Sequence, residues 1–270
     1  MIPTDDRGLT LGDGLFETIL ARDGALVLAA EHLARLARGC AALGLPQPDL
    51  AEARRLCEQA AASVGGRAAV RLTLTAGSGG RGLDRPASPA PRLVATASLA
   101  PAPQGPAVLV TSPVRRNEGS PASRLKTLSY VDNVLSRQAA RAAGADEALM
   151  LNNAGEIACA TAANIFWLAE GRLFTPALEC GVLDGVMRAQ VIAAAAELGL
   201  DPTEIRAPRS ALNVAEAIFL TNSLIGLRVV SALDGRTAFG GKTIAALADA
   251  GESRFLTTAW RNSSAMVNES

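Results

Sequence analysis

The apolar positions fall into short runs separated by turn residues, and their spacing alternates between strand and helix periods. Residues 14–21 (GLFETILA) form an apolar run of strand length. Asp23-Gly24 is a hairpin-type turn, and 25–28 reads as the returning strand. From Glu31 to Leu43, Leu33, Leu36, Ala37 and Cys40 recur at helical spacing, and Gly44 ends the run. A second helix is predicted over 50–64. Alternation over 68–75 (AAVRLTLT) predicts a strand, as does 92–98. The proline-rich stretch 99–107 reads as a loop near a domain boundary, 108–112 as a strand, and 114–123 as polar and irregular.

In the second half, Ser129 with Asp132 three residues on has the form of a capping box. The helix it predicts would bury Val131, Val134, Leu135, Ala139 and Ala142. Strands are predicted over 147–151 and from Ile157 onward, on either side of a turn at 152–155. Residues 164–168 and 173–175 form a hairpin across Glu170-Gly171, and 186–198 is an alanine-rich helix. Strands at 217–221 and 229–231 precede a turn at Asp234-Gly235. No internal repeat is present. The expected architecture is mixed α/β (α+β) in two domains: 1–112, a linker over 113–124, and 125–270.

Composition narrows the functional classes. The chain has 270 residues, 49% hydrophobic and 19% charged, which suits a folded protein with a real core. The 26 basic and 26 acidic side chains cancel, so no electrostatic footprint for nucleic acid or an anionic membrane exists. Charged residues interrupt every apolar run before it reaches membrane-spanning length, and residues 1–7 lack a signal-peptide core. A cytoplasmic protein with a small-molecule substrate is expected. Cys40, Cys57, Cys159 and Cys180 show no paired spacing, and His32 is the single histidine, so no metal site is expected. The basic residues are 24 Arg and two Lys, so lysine chemistry has two candidates, Lys126 and Lys242.

Gly77, Gly79 and Gly82 match the GxGxxG pattern, but Leu83 to Pro89 holds two prolines and cannot open the long helix that a dinucleotide site requires. The segment reads as a surface loop, or as a mobile loop carrying Arg81 to a substrate carboxylate. Lys126 lies between Leu125 and Leu128, where apolar surroundings favour the neutral amine, a nucleophile for Schiff-base chemistry; a snorkelling lysine fits the same context. Lys242, in Gly240-Gly241-Lys242, reads as a solvated charge. Gly181 to Arg188 leads into the alanine-rich helix, whose first N–H groups suit a phosphate. Asp184 could equally be an N-cap. Thr221-Asn222-Ser223 is a simple turn or a second phosphate clamp.

In order along the chain, Gly12-Asp13-Gly14-Leu15-Phe16-Glu17-Thr18, Glu31-His32-Leu33-Ala34-Arg35-Leu36, Lys126, Ala162-Ala163-Asn164-Ile165-Phe166 and Gly185-Val186-Met187-Arg188 resemble the class IV (fold type IV) pyridoxal-phosphate enzymes. That family includes branched-chain and D-amino acid aminotransferases and 4-amino-4-deoxychorismate lyase. Gly77 to Gly82, the run from Lys126 to Leu149, and Thr221 to Leu224 are most similar to the lyase. The resemblance implies the two-domain fold type IV architecture, a homodimer and pyridoxal 5'-phosphate. It makes Lys126 the lysine that carries the cofactor, and Arg35 a clamp on its phosphate, with His32 a packing or capping neighbour. Val186 and Met187 would bind the phosphate through their N–H groups, Asn222 and Ser223 would form the second phosphate turn, and Leu183 would pack on the ring.

The family pattern places a glutamate five residues before the Asn of Asn-x-Phe, facing the pyridine nitrogen. Here that position is Cys159; Glu156 is three residues too early and would face the other side of a strand. A neutral thiol does not keep the ring nitrogen protonated, which weakens the cofactor as an electron sink. An elimination that ends in an aromatic ring has its own driving force. The expectation is therefore a lyase forming 4-aminobenzoate and pyruvate, against a class IV aminotransferase, or a homologue that binds the cofactor without turnover.

Overall fold

The computed structural model describes residues 2–100 and 105–237, which divide into two compact units. Unit 1 takes the described residues up to 100 together with Leu125–Ser129; unit 2 takes 105–124 and 130–237. The proline-rich residues 101–104 and Lys242 lie outside the described residues.

Unit 1 contains α1 (Arg7–Leu11), β1 (Gly14–Arg22), β2 (Ala25–Leu26), α2 (Ala29–Ala42), α3 (Leu50–Ala62), β3 (Arg67–Thr75) and β4 (Arg92–Leu99). The strands form an antiparallel sheet in the order β2-β1-β3-β4, with Gly14 opposite Thr75 and Arg22 opposite Arg67. Asp23 and Gly24 both take positive φ at the first turn, as the Asp-Gly pair predicts. Helices α2 and α3 bury Leu33, Leu36, Cys40, Ala53 and Cys57 against Leu15, Ile19, Val70, Leu72 and Leu74. Asp49 caps α3 by accepting from the N–H groups of Ala51 and Glu52.

Because β2 is so short, most of one edge of β1 is open to another partner. Residues 126–128 take it: Phe16 N–H donates to Lys126 O, and Leu128 N–H to Gly14 O. Leu15 bridges Thr127 antiparallel, so Lys126 stands directly across from Phe16.

Unit 2 contains β5 (Ala107–Thr111), α4 (Pro121–Arg124), α5 (Val131–Ala142), β6 (Glu147–Leu151), β7 (Ile157–Ala160), β8 (Asn164–Ala169), β9 (Arg172–Pro176), α6 (Val186–Glu197), β10 (Pro202–Ile205), β11 (Ala217–Asn222), β12 (Gly226–Leu233) and β13 (Arg236–Thr237). Its nine-stranded mixed sheet runs β10-β9-β8-β11-β12-β5-β6-β7, with β13 beside β12. The fully buried Phe166 and Phe219 stack across β8 and β11 at 5.1 Å. Val191 and Ala195 of α6 pack on them.

The structure corrects several expectations. Strand β5, expected in the first domain, pairs with β12 and β6 of unit 2, while Lys126 hydrogen-bonds into unit 1. The predicted capping box does not form: α5 starts at Val131 after Tyr130, with no side-chain cap. Ser129 Oγ instead lies so close to Gly12 that a Cβ there would meet it at 2.6 Å. The face of α5 is also inverted. Val131, Val134 and Leu135 are exposed, and Asn133, Ser136 and Ala140 are buried. Hydrogen bonds hold the helix by its polar face: Asn133 donates to Thr161 O at 2.7 Å and accepts from Arg116 at 3.2 Å, and the Ser136 and Ser112 hydroxyls meet at 2.8 Å. No helix among the described residues is long and apolar enough to cross a membrane, and no cluster of metal-ligating side chains occurs among them.

Candidate active site

Unit 1 brings Lys126 into a small charged network. Its Nζ lies 4.3 Å from the Phe16 ring centroid, and the Arg71 guanidinium lies 3.9 Å from the same centroid. Burial lowers the Lys126 amine to about 8; the Glu17 carboxylate opposes that fall, and Arg35 and Arg71 add to it. An amine in that range exchanges protons near neutral pH, as a catalytic base must.

Arg35 and His32 project from α2 toward β1, where both meet Glu17. Arg35 Nε donates to Glu17 Oε1 at 2.8 Å and Nη2 to Oε2 at 2.5 Å, a two-pronged pair. His32 Nδ1 lies 2.7 Å from Oε2. Burial favours the neutral imidazole, and a carboxylate can only accept, so His32 holds its proton on Nδ1 and donates it. Burial opposes the charge on Glu17, yet the Arg35 and His32 hydrogen bonds hold its carboxyl at about 2. His32 is therefore more than a packing neighbour. Glu17 was visible in the sequence only as part of a motif, because its partners lie 15 and 18 residues away on another element.

The glycine-rich loop is firmly tethered, with no helix following it. Arg7 donates to the carbonyls of Gly82, Leu83 and Asp84, and Arg85 pairs with Asp13 through two nitrogens. Gly80 has φ +85° and a Cβ there would collide with Asp84 O, so the turn needs glycine. Arg81 is exposed on this loop and bridges Asp84 through the backbone.

Unit 2 gathers the predicted phosphate segments around Asn164. Asn164 stands across from Thr221 in the β8–β11 register and donates to Leu183 O at 2.9 Å. A Cβ at Gly185 would collide with Asn164 Oδ1, so glycine alone lets the start of α6 approach this closely. Gly185 is the N-cap, with no side-chain cap, in place of Asp184; Val186 and Met187 follow as the first helical residues, both buried. The Thr221 hydroxyl, on the residue across from Asn164, is buried without a hydrogen-bond partner. Asn222 spends its side chain on the turn, donating to Ala162 O and accepting from Leu224 and Ile225 N–H. Ser223 and Leu183 are half-buried nearby in sequence. Uncapped helical N–H groups and an orphan hydroxyl, both reached through Asn164, fit a phosphate. Arg188, the next residue of the motif, turns away to Glu204 at 2.5 Å and Pro176 O at 3.2 Å.

Cys159 sits on β7, 7% exposed, among Met150, Ala158, Cys180 and Val182. Burial raises its thiol, Arg116 opposes and Glu147 adds to the rise, so the group is neutral. Glu156 does not stand in for a carboxylate there. It is taken up by Asn152, Arg206 and the Cys180 thiol. Arg116, not anticipated from the sequence, donates to Gly181 O, Ser123 O and Asn133.

Comparison with known proteins gives a consistent relationship. The family model described as amino-transferase class IV matches residues 14–233. The chain is 32% identical over 238 residues to a putative branched-chain-amino-acid aminotransferase of Methanocaldococcus jannaschii, covering 86% of this chain and 82% of that one. It is 29% identical over 259 residues to a bifunctional aminodeoxychorismate lyase / D-amino acid transaminase of Mycobacterium tuberculosis, covering 87% of each. The crystal structure of 4-amino-4-deoxychorismate lyase from Pseudomonas aeruginosa superposes with a TM-score of 0.85 at 32% identity, covering 92% of this chain and 93% of that one.

Proposed function

The chain belongs to the amino-transferase class IV family, and from that premise we propose that it is a pyridoxal-phosphate-dependent 4-amino-4-deoxychorismate lyase, forming 4-aminobenzoate and pyruvate for folate synthesis. The observation that carries this reading over an aminotransferase is the neutral Cys159 thiol where the family pattern has a glutamate. Without a carboxylate at the ring nitrogen, the reaction with its own aromatic driving force is the one favoured.

Bound pyridoxal phosphate supplies an electron sink for the carbanion formed at the substrate's amine-bearing carbon. Lys126 is the amine that would hold the cofactor, and it is the base that would take the proton from that carbon. The N–H groups of Val186 and Met187, the Thr221 hydroxyl and the Asn222–Ser223 turn hold the phosphate. Arg35, anchored on Glu17, is the cationic clamp of the same reading, and Leu183 would pack on the ring. Arg81, on the tethered loop, faces a substrate carboxylate. A homodimer in the cytoplasm belongs to the same reading, and sedimentation velocity tests the dimer.

The second reading is an aminotransferase, which the naming of the Methanocaldococcus relative and of the bifunctional mycobacterial relative supports. Purified protein showing a cofactor absorption band is incubated with 4-amino-4-deoxychorismate, and 4-aminobenzoate is measured. Product that disappears in Lys126→Ala supports the lyase. A band without product overturns it, and amino donors with keto-acid acceptors then test the second reading.

A further inference from the structure

Residues 160–163 carry the chain from Cys159, on β7, to Asn164, at the start of β8. The bend is closed by Ala160 N–H, which donates to Ala163 O at 2.9 Å. Asn222 donates to Ala162 O at 2.9 Å, so the turn after β11 leans on the same bend. Thr161, inside the bend, is buried and has all its polar groups engaged. Its N–H donates to Glu147 Oε1 at 3.1 Å, its hydroxyl donates to the same oxygen, and its carbonyl accepts from Asn133 at 2.7 Å. Main-chain groups turned inward must find partners, and Glu147 and Asn133 provide them.

The sheet register puts Glu147 in place for this. Leu149 of β6 stands opposite Ala160 of β7, so Glu147, two residues earlier, lies level with the bend instead of with the strand. Its other oxygen, Oε2, accepts from Arg137 of α5 at 2.6 Å, and the N–H of Ala148 donates to Oε1 at 3.0 Å. Four donors thus fix a carboxylate that is 4% exposed. Through Thr161 the same carboxylate fixes the segment that separates Cys159 from Asn164 and meets Asn222.

We propose that Glu147 is a positioning residue for the cofactor: by holding Thr161 it sets the spacing between the Cys159 position and the Asn222 turn. The inference rests on the reading that the ring nitrogen lies toward Cys159 and the phosphate toward Asn222. A rigid ligand gripped at both ends binds tightly only where the two ends are preorganised at its own length. A loosened bend then costs cofactor affinity even in a chain that stays folded.

Three variants of the full chain, freed of cofactor, test this. Thr161→Val removes the hydroxyl and keeps the shape, Thr161→Ser keeps the hydroxyl, and Glu147→Gln turns an amide NH2 toward one of the four donors. Pyridoxal phosphate Kd is measured by fluorescence titration, and the Tm of the cofactor-free protein by calorimetry. Thr161→Val and Glu147→Gln are each expected to raise Kd by about tenfold, the scale of one lost hydrogen bond, while Thr161→Ser stays near the parent. A lowered Tm with a parent-like Kd in both would show that the contact only stabilises the fold, and would overturn the proposal. So would a Thr161→Ser as weak as Thr161→Val. If Glu147→Gln does not fold, the comparison of Thr161→Val with Thr161→Ser decides alone. The parent chain separates the two levels of the argument. A parent that binds no pyridoxal phosphate removes the cofactor reading and this role with it, whereas a parent and variants that bind it equally well remove the role of Glu147 alone.

Discussion

Replacing Cys159 by glutamate restores the carboxylate of the family pattern, and the structure sets two opposed consequences. The site is 7% exposed and lined by Met150, Ala158, Cys180 and Val182, so the new carboxylate cannot reach water. Glu147 bears on the site with like charge, and Arg116 with opposite charge. Arg116 already donates to three protein oxygens, so its compensation is partial. A buried, poorly paired carboxylate costs about 3 kcal/mol. In a chain of this size that lowers Tm by about 6–12 °C in the cofactor-free protein. If the ring nitrogen of pyridoxal phosphate faces this position, a pyridinium forms and pairs with the carboxylate. Cofactor then raises the Tm of Cys159→Glu more than that of the parent, and the visible absorption band shifts. Differential scanning calorimetry with and without cofactor, alongside absorption spectra, reads both. An equal cofactor-induced rise in the two proteins, with an unchanged band, would refute the placement of Cys159 at the ring nitrogen.

Arg7→Ala removes the donors that hold the carbonyls of Gly82, Leu83 and Asp84, and is expected to speed tryptic cleavage after Arg81 at least tenfold, read by mass spectrometry. Gly185→Ala places a Cβ against Asn164 Oδ1 and pushes the start of α6 away, so the cofactor Kd rises by tenfold or more in a fluorescence titration while the far-ultraviolet circular dichroism is kept. Glu17 titrates at about 2 in the fold against an ordinary 4.5, so its stabilisation is present above pH 4.5 and lost as pH falls toward 2. Acid unfolding followed by circular dichroism is expected to steepen in that window, and a curve flat down to pH 2 would contradict the ionised Glu17.

Elements with a strong period were readable from the chain alone. Strand β6 covers the predicted 147–151, and the Glu170-Gly171 hairpin has positive φ at both residues, as its composition requires. The face of α5 was not readable, because pattern reading equates apolar with buried, whereas this helix is held by Asn133 and Ser136 through hydrogen bonds. Lys126 stood out because the chain has few lysines. The Glu17 carboxylate did not, because the Glu17–His32–Arg35 pairing depends on where α2 crosses β1, and no spacing rule encodes that. The Thr221 hydroxyl was hidden for a similar reason: it gains meaning only once the β8–β11 register sets it opposite Asn164.

The placement of residues 125–129 also bears on how such a chain can be divided. They hydrogen-bond into unit 1, although the sequence on both sides of them belongs to unit 2. A gene fragment ending before β5 would encode α1 to β4 but leave the open edge of β1 without its partner, and would lack Lys126. The complementary fragment would carry the lysine without Phe16, Glu17, Arg35 and Arg71, the residues that set its chemistry. The reactive amine and its surroundings are thus inherited as a discontinuous module. Recombination between relatives can exchange it intact only if both cuts fall outside the interval from Arg7 to Ser129.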